Sequence, residues 1–100
     1  MVMSFSELWE EAETVMQDEV SVSSSEELVK EAEGKLRIYN LINRNSSMPE
    51  EDQRRLKSHT FGKIMLVLTQ LSAKDNINVY AALKTALDET KIGLLESKYK

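Results

Sequence analysis

The sequence has no cysteine, one proline, three glycines and one histidine among its 100 residues. The absence of cysteine excludes a disulfide framework, a thiolate metal site and a cysteine nucleophile, and it fits a reducing compartment, for which we expect the cytoplasm. Three scattered glycines cannot form a phosphate-binding loop. Because His59 is the single histidine, a histidine-rich metal site is excluded, and His59 is left as one candidate for acid–base chemistry.

Long apolar segments are also missing. The longest strictly apolar run covers only residues 64–68, whereas a membrane-spanning helix needs about 20 apolar residues. The first residues have neither a basic region nor an apolar core, so we expect no signal peptide and no membrane partner. The length and composition predict one helical domain over residues 1–100.

Basic residues are absent from the first quarter of the chain. Residues 1–27 contain eight acidic residues and no lysine or arginine, whereas the remaining 73 residues carry a net charge of +4. This pattern predicts an acidic amphipathic helix and loop over residues 1–22 that either docks on the basic remainder or detaches to bind a protein partner. No basic stripe interleaves with aromatic residues, so the sequence does not favour nucleic-acid binding.

Helical periodicity and start signals divide the chain into four segments. Ser4, Ser24 and Ser47 each precede a glutamate by three residues, which is the spacing of a capping box, and Asn78 is a further N-cap candidate. These signals predict an all-α, four-helix bundle-like single domain with helices near residues 4–18, 24–43, 48–73 and 78–96. The connections are short, so we expect successive helices to pack antiparallel.

Each predicted helix has an apolar face. On the first helix, this face offers anchors for a partner's groove: Phe5, Leu8, Trp9, Ala12 and Met16. On the second, it comprises Leu28, Val29, Ala32, Leu36, Tyr39 and Ile42. The third helix has an apolar arc of roughly 160°, wider than an ordinary surface stripe, and only Leu66 points the other way. The fourth helix is predicted to turn Val79, Ala82, Leu83, Ala86, Leu87 and Leu94 inwards.

So wide an arc on the third helix indicates a central helix or a subunit interface. We therefore expect a homodimer, or a higher oligomer, in which the third and fourth helices contribute most of the interface. The predicted core and interface residues are Phe61, Ile64, Met65, Leu68, Leu71, Leu83 and Leu87.

Paired acids are the remaining candidates for metal chemistry. Glu27 and Glu31 are spaced i, i+4 and border the apolar face of the second helix, so they could supply two oxygen ligands to Mg²⁺. Other acid pairs lie on the polar face of the first helix, where solvation explains them. The sequence contains no serine elbow or other nucleophile motif, so no catalytic residue is assigned.

The stretch from Phe61 to Leu87, FGKIMLVLTQLSAKDNINVYAALKTAL, resembles the third and fourth helices of the MazG-like all-α nucleoside triphosphate pyrophosphatases. The resemblance extends to the second helix and covers about half of the chain. It implies an ExxE motif on the second helix and an ExxD motif on the third, which together hold Mg²⁺ against a triphosphate. This chain has Thr60 and Lys63 at the ExxD positions, and on the second helix it has Glu31 but also Lys35. Two lysines would repel a metal, and they could instead contact an anion such as a nucleotide phosphate.

Three functional hypotheses follow. The first is a non-catalytic, self-associating helical protein that acts by protein–protein interaction, without a cofactor, and that is a MazG-like relative lacking the metal site. The second is a divergent Mg²⁺-dependent nucleoside triphosphate pyrophosphatase that uses Glu27 and Glu31, with acids of the first helix as further candidate ligands. The third, an acidic inhibitor protein of a mobile element, rests only on size and acidity.

Overall fold

The structure is a computed structural model that describes residues 2–17 and 22–98. Four helices have both ends within those residues, α1 (Phe5–Val15), α2 (Ser25–Arg44), α3 (Glu50–Lys74) and α4 (Val79–Lys98), and the described residues form no strand. The predicted all-α fold with four helices in a single domain is therefore confirmed. The bounds of α2, α3 and α4 differ from the predicted ones by at most two residues. The first helix ends at Val15, with Met16 as its C-cap, so it is three residues shorter than the predicted end at residue 18, which itself lies outside the described residues.

Three of the predicted caps start their helices. The Ser4 hydroxyl oxygen accepts a hydrogen bond from the Glu7 N–H at 3.2 Å, and the Ser24 hydroxyl accepts one from the Glu27 N–H at 3.1 Å. At the start of α4, the Asn78 side-chain oxygen accepts from the Ala81 N–H at 3.0 Å. Each bond satisfies a backbone donor that has no partner within its own helix.

The predicted cap at Ser47 is wrong. The helix α3 begins at Glu50 behind Pro49, and the Ser47 hydroxyl instead donates to the Asn45 side chain at 2.8 Å. With Ser47 as the cap, Met48 would be the first helical residue directly before a proline, and the proline ring disfavours helical geometry at that position. The helix therefore starts one residue after the proline.

The central element is α3, which contacts α2 on one side and α1 on the other. A hydrogen bond joins Ser25, at the start of α2, to Asp75, just after α3. At the other end, the Gln53 side-chain amide donates to the Ile42 carbonyl at 2.8 Å, so α2 and α3 are antiparallel. The apolar core lies between them and is small: Leu28, Ile64 and Val67 are 0%, 8% and 2% exposed.

Polar side chains are also buried along α3. Thr60, Thr69 and Ser72 each donate their hydroxyl to a backbone carbonyl one turn earlier in the same helix, at 2.8, 2.6 and 2.9 Å. In the described part of the chain, no buried side-chain nitrogen or oxygen lacks a partner. These residues can therefore lie against a neighbouring helix without an unsatisfied polar group.

The molecule is more open than a compact chain of its size. Its radius of gyration is 16.8 Å, compared with about 13 Å for a compact 100-residue domain. The fourth helix accounts for much of the difference, because it has no extensive contact with the other described helices. The expectation that α4 packs antiparallel on α3 therefore does not hold within one chain.

Candidate functional site

The fourth helix presents an apolar surface that no described residue covers. Only its first residue, Val79, is partly buried, and every side chain from Tyr80 to Ser97 is exposed. The helix carries a stripe of large apolar residues, here called the α4 stripe: Tyr80, Leu83, Leu87 and Leu94. At 100° per residue these four side chains fall within an arc of about 60°, so they form one continuous face.

A second uncovered apolar surface lies on one side of the α2–α3 pair. Two polar contacts mark this side: Lys57 donates to the Asn43 side chain at 2.7 Å near one end, and Ser25 bonds to Asp75 near the other. Between these two contacts, the apolar residues on the same side of the helices are Val29 and Leu36 on α2 and Phe61 and Leu68 on α3. These four residues are called here the α2–α3 face. All four are between 41% and 56% exposed, so none of the described elements covers this face.

The first helix lies on the other side of α3. Between them is an apolar groove of about 240 Å³, lined by Phe5, Leu8, Trp9, Ala12, Gly62, Met65, Leu66 and Thr69. The Trp9 indole N–H donates to Glu13 at 2.9 Å, and the Ser72 hydroxyl contacts the same carboxylate at 3.4 Å. The Trp9 bond lies within α1, so of these two contacts only the one between Ser72 and Glu13 joins α1 to α3. Leu66, which points away from α2, lines the groove together with apolar side chains of α1.

An open cleft of about 320 Å³ separates α1 from the start of α4. On the α1 side it is lined by Phe5, Ser6, Trp9, Glu10 and Glu13, and on the other by residues 77–80 and Leu83. Its two walls therefore differ, since one carries two carboxylates and the other is mainly apolar. Tyr80 and Leu83 of the α4 stripe line this cleft, so α1 lies opposite the first part of the stripe without covering it.

The predicted core and interface residues occupy different environments. Ile64 is buried and Met65 and Leu71 are partly buried, all on α3. Phe61 and Leu68 form part of the α2–α3 face, and Leu83 and Leu87 belong to the α4 stripe. Of the predicted α1 anchors, Phe5 and Leu8 are exposed, while Trp9, Ala12 and Met16 are partly buried.

The positions considered for metal or anion binding do not converge on a single site. Glu31 forms an ion pair with Lys35 at 3.4 Å, and the Glu27 side chain is exposed at the start of α2. Lys63 and His59 are exposed on α3, whereas Thr60 is buried there. No cluster of three acidic or histidine side chains able to hold a metal occurs among residues 2–17 and 22–98.

Two features of these surfaces were not predicted from the sequence. Tyr80 belongs to the α4 stripe, and the spacing of three, four and seven residues from Tyr80 to Leu94 could have revealed it. Nothing in the sequence predicts that Val29 and Leu36 are exposed, because they belong to the same periodic apolar pattern as the buried Leu28. Hydrophobic periodicity identifies a face, but it does not identify what covers that face.

Comparison with known proteins gives no relative. The chain matches no protein-family model, no curated protein and no solved structure. None of the described helices is long and apolar enough to cross a membrane. The geometry of the chain itself, an all-α domain with uncovered apolar surfaces, therefore carries the functional argument.

Proposed function

We propose that this chain is a non-catalytic helical protein that acts by protein–protein interaction, and that its first partner is a second copy of itself. The observation that carries the proposal is the amount of exposed surface. The chain exposes 8111 Å², whereas a compact monomer of 11.4 kDa would expose roughly 5,800 Å². The difference of about 2,300 Å² per chain is large enough for a permanent dimer interface.

The interface in this proposal is formed mainly by α3 and α4. Phe61 and Leu68 on α3 and Leu83 and Leu87 on α4 are large apolar residues that lie at the surface. Monomeric proteins rarely expose contiguous apolar patches larger than a few hundred Å². Burying these residues against another chain would remove their apolar surface from water. In a symmetric dimer the same residues of both copies would be buried.

The proposed evolutionary origin is a MazG-like relative that kept the helices and lost the metal site. Support comes from the positions where that family has carboxylates. Thr60 is buried and donates its hydroxyl to the Leu56 carbonyl, so it is a packing residue. On α2, the Lys35 ammonium lies 3.4 Å from Glu31 and would compete with a cation for that carboxylate.

The competing enzymatic hypothesis has a direct assay. A divergent pyrophosphatase would release pyrophosphate from a panel of nucleoside triphosphates only when Mg²⁺ is present, and Glu31→Ala would abolish the release. We expect no release from any nucleotide. Release that depends on both Mg²⁺ and Glu31 would contradict the non-catalytic proposal.

A second, unidentified protein partner is part of the proposal, and α1 is the element that would bind it. Phe5 and Leu8 are exposed on this acidic helix although Trp9 lies against α3. A basic groove on a partner would suit both the charge and the apolar edge of α1. The proposed compartment is the cytoplasm. The chain has no cysteine, so its stability does not depend on disulfides, which a reducing compartment would not maintain.

Light scattering on the purified chain tests self-association. We expect a molar mass of at least twice 11.4 kDa at micromolar concentration. A stable monomer under these conditions would contradict the proposal, since the uncovered apolar surface would then have no partner of its own kind.

A further inference from the structure

The α2–α3 face and the α4 stripe are both uncovered in the described part of the chain. We propose that α4 of a second copy covers the α2–α3 face, running antiparallel to the α3 that it contacts, so that two copies exchange their fourth helices around a twofold axis. This inference rests on the self-association proposed above and identifies the two surfaces that meet. Reciprocal exchange of an identical element is a low-cost route to a dimer.

The two surfaces repeat at the same interval. On the α2–α3 face, each helix contributes two apolar residues that are seven positions apart, and in the α4 stripe Leu87 lies seven positions from both Tyr80 and Leu94. Seven residues of α-helix rise by about 10.5 Å. Apolar side chains from the two surfaces can therefore alternate along the whole contact, as helix packing requires.

The charges favour the antiparallel direction. When the α4 stripe faces α3 and the chains run in opposite directions, the rotation of 100° per residue places Lys84, Asp88 and Lys91 on the edge of α4 next to α1. Asp88 pairs with Lys84 at 3.0 Å, so these three side chains leave that edge with a net positive charge. On α1, Glu13 contacts the Ser72 hydroxyl of α3 at 3.4 Å, and Glu10 lines the open cleft together with Glu13. In the parallel direction the two lysines would instead face the apolar side of α2. Complementary charges of this kind set the orientation of a complex more than its affinity.

The opposite edge of α4 suits a close approach to α2. In the antiparallel direction this edge carries Ala86 and Gly93, which are small and exposed. It would lie against Val29 and Leu36, the two large residues that α2 contributes to the α2–α3 face. Small residues opposite large ones allow two helices to interdigitate without a cavity.

The turn after α3 explains why the partner's helix, and not the chain's own, is the proposed occupant. The Ile77 N–H donates to the Ser72 carbonyl at 2.8 Å and the Asn76 N–H to the Ala73 carbonyl at 3.3 Å, with Asn76 at a φ of 55°. These bonds form a Schellman motif that ends α3. In this conformation α4 leaves its own α2–α3 face uncovered, and a short connection of this kind favours exchange between chains over closure within one.

Disulfide trapping tests the exchange. Because the chain has no native cysteine, only the introduced thiols can form disulfides. Leu68→Cys and Leu87→Cys are prepared as separate full-length variants, mixed after reversible unfolding, and oxidised gently. We expect a 68–87 disulfide between chains as the main product of the mixture, identified by mass spectrometry of the linked peptides. A second pair at the other end of the face, Phe61→Cys with Leu94→Cys, should behave in the same way, because both pairs share one antiparallel register.

The matched control places the thiol on the opposite side of α4. Ile92→Cys is similarly exposed but lies away from the stripe, so it should lose the cross-link to Leu68→Cys, because a disulfide needs Cβ atoms about 3.8 Å apart.

Three results would overturn the exchange. An 87–87 disulfide as the main product would mean that the dimer pairs α4 with α4, which leaves self-association intact. Cross-linking of Ile92→Cys equal to that of Leu87→Cys would mean random collision. A disulfide within one chain of the Leu68→Cys/Leu87→Cys double variant, in a protein that is monomeric by light scattering, would contradict both the exchange and the proposed self-association.

Discussion

Replacing Leu83 by alanine should weaken the dimer without weakening the helix that carries the residue. The change removes three carbon groups, each worth about 0.8 kcal/mol when buried, from a side chain that is 64% exposed in the single chain. Burial in the dimer would therefore recover about 1.5 kcal/mol per copy, or about 3 kcal/mol for the two copies of a symmetric dimer. Since 1.4 kcal/mol corresponds to a factor of ten, the dissociation constant should rise roughly a hundredfold.

Sedimentation velocity over a range of protein concentrations measures this dissociation constant, and far-ultraviolet circular dichroism monitors the helix. Alanine is the best helix former, so helicity should not fall. The matched control is Ile92→Ala, which removes an apolar side chain of similar exposure from the opposite face of α4 and should leave the dissociation constant unchanged. Equal effects of the two substitutions, or no effect of either, would refute the assignment of the α4 stripe to the interface.

The remaining predictions concern the fold and are measured by urea denaturation at one fixed protein concentration. Leu28→Ala should lower the free energy of unfolding by about 2–5 kcal/mol, because it opens a cavity at a fully buried position, and a loss below 1 kcal/mol would contradict the placement of the core. Ser24→Ala should cost about 1 kcal/mol through the loss of its cap bond to the Glu27 N–H; Ser47→Ala, which removes no cap, is the control and should have little effect. Asn76→Ala should cost about 1–2 kcal/mol because alanine resists a positive φ, while Asn76→Gly should not, and equal losses would argue against the Schellman motif.

Local features of the fold could be predicted because their causes lie within a few residues. The capping spacing at Ser4 and Ser24 and the asparagine at position 78 give helix starts that the structure confirms. Ser47 shows the limit of the same reasoning. It has the spacing of a capping box, but the proline two residues later prevents Met48 from entering a helix, and the proline effect is the stronger of the two.

Which apolar faces find a neighbour could not be predicted in the same way. Leu28 and Leu83 occur in similar periodic patterns, yet Leu28 is fully buried and Leu83 lies on the open face of α4. Leu83 lies beyond the turn at Asn76, on a helix that has no extensive contact with the other described helices. A similar limit applies to Thr69 and Ser72, whose burial depends on α1 crossing α3 at that point.

The MazG-like origin stays a proposal, and the structure adds a physical observation at Thr60, one of the two positions that the resemblance aligns with the family's ExxD motif. The Thr60 side chain is buried, and its hydroxyl donates to the Leu56 carbonyl in the preceding turn. A carboxylate at this position would need a cation or a donor to be stable there. The local packing at this position therefore suits a structural role.

The central claim, that this chain completes its apolar core only with a second copy, is tested most directly by the molar mass of the purified protein at micromolar concentration. We expect a species of twice 11.4 kDa by multi-angle light scattering. A species of 11.4 kDa that persists across the micromolar range would contradict it, because the uncovered faces of α3 and α4 would then be stable in water without a partner.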